Sequence, residues 1–234
     1  MMHPLAKSFS CAAILWLPLL PILLLLPLLS SCTSDTYEKG TGKYSRMQAD
    51  MAELTIDKEQ QAVSFVTDDG EEYRLSPTFK AQWIQTADTI YRAIIYYNRN
   101  DDGTAQSVSA GSVPTLRPRE HWRFKNLPQD PVGMESAWLS RNKKYLNMGL
   151  LIKSGYTTDS TAIHSIALSQ DTIYSHDDGS RTAVYTFIHS QGGVPEYFTD
   201  RRFVSILLPD EPADTVVLNI QTYNGPLTRR FSIE

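Results

Sequence analysis

At residues 68–70, 101–103 and 177–179 the sequence reads Asp-Asp-Gly, and each triplet stands between two runs that look like β-strands. An aspartate in such a triplet bonds its own turn backbone, and glycine supplies the left-handed residue of a tight reversal, so each triplet sends a strand back on itself. Around the first, Val63 and Phe65 alternate with Ser64, then Tyr73 and Leu75 alternate with Arg74, which predicts a hairpin with one buried face. Thr89 to Tyr97 is apolar or aromatic on nearly both sides: Ile90, Ile94 and Tyr96 on one, Tyr91, Ala93, Ile95 and Tyr97 on the other. That pattern predicts a central strand. No amphipathic helical stretch of useful length and no internal repeat accompanies these runs, so the expected fold class is all-β.

Turn spacing divides the chain. About five strands between residues 51 and 116 fit a small barrel of the oligonucleotide- or oligosaccharide-binding (OB) type. From 135 to 234 the candidates are Tyr145 to Ile152, Thr161 to Leu168, Arg181 to His189, Arg202 to Leu208, Thr215 to Gln221 and Thr228 to Ile233. Turn residues punctuate them, and the expectation is a β-sandwich. Between the two blocks, residues 117–134 hold several prolines and read as a linker. The linker also carries Arg117, Arg119, His121, Arg123 and Lys125 interleaved with Trp122 and Phe124. Either the two aromatic rings pack at a domain junction while the charges are solvated, or the segment presents a basic, aromatic surface to an acidic partner.

The N-terminus sets the address. Lys7 precedes an almost uninterrupted apolar stretch from Cys11 to Leu29, followed by Leu29-Ser30-Ser31-Cys32. Small residues before a cysteine at the end of an apolar run are the processing signal of a bacterial lipoprotein, so residues 1–31 are read as a signal peptide and Cys32 as the acylated first residue. Pro18, Pro21 and Pro27 count against the same run being a membrane-spanning helix. Residues 32–50 are small and polar and read as a flexible tether. The expected location is the cell envelope, lipid-anchored, at the outer membrane.

Cys11 and Cys32 are the two cysteines, so the processed chain has none free for a disulfide and must rest on a packed core. Removing residues 1–31 takes away Lys7 and no acid, leaving 21 basic against 26 acidic side chains, a net of −5. Such a balance disfavours nucleic acid as a partner.

The second block resembles the NigD-like lipoproteins of Gram-negative anaerobes. The matching residues are Asp130-Pro131-Val132, Glu135-Ser136-Ala137-Trp138, Tyr145-Leu146-Asn147, an isolated His164, Phe187-Ile188-His189, the loop from Gly192-Gly193 to Tyr197, and Val204-Ser205-Ile206 before Pro209. The resemblance implies an OB-like domain followed by a β-sandwich behind a lipoprotein signal. It brings an association with bacteriocin gene clusters and no catalytic residues.

Nothing in the pattern specifies a reaction or a cofactor. His164, His176 and His189 lack the close spacing that puts two metal ligands on one element. By strand parity His164 and His189 read as core residues, and His176 as a solvated turn residue. No Gly-x-Ser-x-Gly elbow occurs, and the paired aspartates belong to turns rather than to a glycosidase acid/base pair. The expectation is therefore a non-catalytic module binding an envelope protein or glycan, with Trp83, Tyr96, Tyr97 and Trp122 as candidate contact residues. An immunity-type lipoprotein that intercepts a secreted toxin is the alternative.

Overall fold

The computed structural model describes residue 42 and residues 44–233. The expected signal peptide, Cys32 and most of the expected tether lie outside the described residues. Five strands come first: β1 (Gln48–Ile56), β2 (Ala62–Thr67), β3 (Glu72–Phe79), β4 (Thr89–Arg99) and β5 (Ala105–Ser112). They close into a barrel in the order β1-β2-β3-β5-β4, with β3 and β5 parallel and the other pairs antiparallel. This is the OB arrangement. The glycines of the Asp-Asp-Gly turns, Gly70 and Gly103, adopt φ of +86° and +81°, the left-handed conformation that the triplets require.

Strand β4 is paired on both edges, to β1 and to β5, and is central as its two apolar faces predict. Its odd face turns inward: Ala93, Ile95 and Tyr97 are fully buried. There Tyr97 meets Phe65 at 4.8 Å and Tyr73 at 5.4 Å between ring centroids, and its hydroxyl donates to Asp50. Burying each ring of this trio is worth about 1.5–3 kcal/mol.

The sandwich has two sheets. One runs β6 (Thr115–Leu116), β12 (Phe198–Leu207), β9 (Tyr145–Ser154), β8 (Gly133–Leu139), and the other β14 (Gly225–Ser232), β13 (Thr215–Thr222), β11 (Arg181–Ser190), β10 (Ser165–Ser175), β7 (Arg119–Glu120). Leu146, Met148 and Leu150 of β9, Val204 and Ile206 of β12, and Tyr185, Phe187, Leu218 and Ile220 of the facing sheet form its core. Residues 117–134, expected as a linker, are stitched to the sandwich through β7 against β10, and through bridges from Gln129 to His189 and from Val132 to Thr222. Proline limits the pairing there to two-residue edge strands.

Strand β9 explains how barrel and sandwich join. Its even residues enter the sandwich core, while Tyr145 and Asn147 are buried on the opposite face. Asn147 pairs in register with Ser205 of β12. That outer face carries the barrel, so the four-stranded sheet is covered on both sides.

Candidate functional site

Arg92 reaches the junction from the outer face of β4, directly across from Glu53 of β1. Its guanidinium grips Asp68 with two bonds of 2.7 Å, donates to Asn147 Oδ1 at 3.0 Å and to Ser205 Oγ at 3.1 Å, and lies 4.0 Å from the centre of the Tyr145 ring. Asn147 Nδ2 closes the circuit by donating to Asp68 at 2.8 Å. Beside it, Glu53 accepts from Lys144 at 2.6 Å and from the Tyr145 hydroxyl at 2.5 Å. Burial pushes Glu53 upward, but the hydrogen bonds from Lys144 and Tyr145 and the charges of Lys144 and Arg92 outweigh it and hold the carboxyl below its ordinary range. Burial first, then the bond to Glu53, raises the Tyr145 phenol. Every strong group here is engaged with another, so the cluster clamps two β bodies together and leaves no activated base or nucleophile. The sequence marks Asp68 only as a turn residue and gives no signal for the role of Arg92.

A cleft of about 880 Å³ opens beside this clamp, bordered by Arg117, Lys143, Lys144 and Tyr145 with Leu207 and Pro209. Arg117 also borders a smaller hollow that it shares with Arg119, and Arg119 in turn borders the hollow of Trp122, Arg123 and Lys125. The three depressions run together as a band in which cations outnumber the acids Glu53, Asp210 and Glu120. Trp122 does not pack at a junction: it is 74% exposed, with the Arg123 guanidinium 4.8 Å over its ring. It stands on a single 3₁₀ turn, His121–Arg123, that buries no residue. Glu120 neutralises Arg123 at 3.3 Å and Glu53 neutralises Lys144, whereas Arg117, Arg119, Lys125 and Lys143 are exposed and make no ion pair among the described residues.

The other candidate aromatics are placed differently. Tyr97 is core, Trp83 packs edge-on against Tyr91 at 5.7 Å, and Tyr96 is half-buried. Exposed rings that the sequence reading missed lie on the sandwich: Tyr156 and Tyr197, 87% and 76% exposed, with Phe198 5.6 Å from Tyr156. They sit beside turn signals, and turn signals say nothing of exposure.

Two of the histidines meet. His189, near the end of β11 and 1% exposed, places Nδ1 3.0 Å from the Asp130 carbonyl and Nε2 3.2 Å from His164 Nδ1. His164 is not on a strand as expected. β10 begins one residue later, at Ser165, and His164 ends the loop before it. Gly192, at φ +58°, allows that loop to close, because a Cβ there would fall on the Ile163 carbonyl oxygen. His176 is exposed and bonds Thr182 at 2.9 Å. Among the described residues no group of three or more His, Cys, Asp or Glu is placed to hold a metal ion.

Solved structures share this architecture. A NigD-like immunity protein from Bacteroides caccae is 20% identical, with a TM-score of 0.57 over 79% of this chain and 92% of its own. The fold is that of the NigD-like proteins. A candidate toxin-related protein from Parabacteroides distasonis is 17% identical at a TM-score of 0.59, over the same 79% and 92%. A candidate lipoprotein from Bacteroides fragilis is 12% identical at 0.56, over 80% of this chain and 98% of its own. No protein-family model matches the sequence, and no curated protein is significantly similar to it. Several residues that carried the NigD-like resemblance are structural: Tyr145, Asn147 and Ser205 hold the junction, and Asp130, His164 and His189 form one hydrogen-bonded chain.

Proposed function

We propose that this chain is a lipid-anchored module of the cell envelope that acts by binding, without catalysis, and that its partner docks on the basic band from Lys143 through Arg117 and Arg119 to Trp122. Trp122 carries the reading. It is a solvent-facing indole beside an arginine, and tryptophan and arginine are among the residue types enriched where interfaces concentrate their energy. The surrounding cations without acid partners stand on a chain of net negative charge, so the band favours an acidic surface. The partner is an envelope protein or an acidic glycan.

A photo-crosslinking residue at position 122, in intact cells, tests this. A discrete crosslinked species should form and be lost when Arg119→Glu and Arg123→Glu reverse the local charge. No crosslink, or one indifferent to the reversal, refutes the proposal. The fold shared with the Bacteroides caccae immunity protein favours one specific version, in which the partner is a secreted toxin. In that case cells deleted for this chain become sensitive to culture supernatant from producing strains.

A further inference from the structure

A cavity of about 520 Å³ lies between barrel and sandwich, walled mainly by Ile94, Val113, Ile152, Ile166 and Phe203 and bordered by His164. It adjoins the basic band, since Ile166 also lines the hollow between Arg117 and Arg119, and its volume falls within the roughly 300–1,000 Å³ of small-molecule sites. The charges at its rim are neutralised locally: Arg201 pairs with Glu135, and Arg202 with Asp200 at 2.8 Å. An ion is therefore not what the site calls for.

Its polar character comes from His164, whose protonation is dictated by a chain of acceptors. The Asp130 carbonyl can only accept, so His189 Nδ1 carries a hydrogen. When the His189 ring carries only that hydrogen, its Nε2 is an acceptor and His164 Nδ1, 3.2 Å away, carries the hydrogen between them. The lone pair of this histidine pair that remains is on His164 Nε2, which is buried without a hydrogen-bond partner. Burial, then the neighbouring His189 and Arg202, holds His164 below the ordinary histidine range, which keeps it neutral and accepting near pH 7. That Nε2 has no solvent-exposed surface in the structure, so a ligand in the largely apolar cavity beside it reaches this unanswered acceptor once the His164 ring turns on its loop, and the bond then repairs the defect.

We propose that this cavity binds a neutral, largely apolar small molecule bearing one N–H or O–H donor, with His164 Nε2 accepting that hydrogen bond. Apolar walls supply affinity and His164 supplies selection for the donor. The test uses matched probes that differ only in the donor, indole against benzothiophene and 2-naphthol against naphthalene, added to the full chain labelled with ¹⁵N-histidine. Indole and 2-naphthol should bind roughly tenfold more tightly than their partners and shift the His164 Nε2 resonance. His164→Phe should abolish that preference while leaving residual binding of all four. Ser112→Trp, at an exposed residue lining the cavity, should exclude all four while the His164 and His189 resonances persist, which keeps the proposal testable if His164→Phe fails to fold. Equal affinity within each pair, an unmoved His164 resonance, or no saturable binding by any probe overturns it.

Discussion

A guanidinium whose side chain is only 3% exposed persists because four of its hydrogen bonds are answered, by Asp68, Asn147 and Ser205. Arg92→Met preserves much of the volume but leaves the Asp68 carboxylate buried without its cation, and breaking a buried pair from one side costs about 3–5 kcal/mol. The expected outcome is a fall of that size in unfolding free energy by urea titration; a loss below about 1 kcal/mol would show the clamp to be decorative. His164 makes a second prediction at this scale, concerning pH. Its folded pKa lies below the ordinary histidine value of about 6.5, so the unfolded chain binds the proton more readily. Stability should therefore be full above pH 6.5 and decline as pH falls from there toward the folded pKa. The groups acting on His164 are His189 of β11 and Arg202 and Asp200 of β12. Thermal unfolding from pH 7.5 to 5 should show the decline, and His164→Gln should reduce it; identical profiles would remove His164 as the cause.

Elements were legible wherever one face is buried and the other is wet. The β2–β3 hairpin, the doubly apolar β4, and the strands β9, β11 and β13 follow from period-two patterning and turn triplets. Strands β1, β6, β7 and β8 were not read: residues 48–50 of β1 were counted with the tether, β6 and β7 are two-residue edge pairings among prolines, and β8 is half-buried with no regular alternation. Partner choice was hidden for the same reason. Arg92 and Asp68 are 24 residues apart, and Asn147 and Ser205 are 58 apart. Local patterning marks a strand's faces, but it does not say which other strand a polar residue will meet. His164 and His189 show the limit clearly: sequence spacing argued against a pair, and a loop closing over Gly192 makes one. The basic band was legible as composition, and whether Trp122 is covered was decided only by how briefly its segment touches the sheet.

At the scale of the whole molecule, the clamp at Arg92 and the double coverage of β9 make barrel and sandwich one platform, which the proposed function places at a membrane. The residue proposed as the anchor, Cys32, lies outside the described residues, so this step rests on the sequence: an apolar run, two small residues, and the last cysteine in the chain. A diacyl modification supplies the two chains that stable anchoring requires, where one chain binds only marginally. Among the described residues no helix is long and apolar enough to cross a membrane. Cys32→Ala should therefore accumulate as an unprocessed precursor that fails to incorporate a palmitate analogue. The crosslinking surface at residue 122 should remain competent in lysates, because it is built entirely by the folded platform. Labelling of the variant equal to wild type would refute acylation at Cys32, and loss of crosslinking in lysates would show that the binding face depends on the anchor.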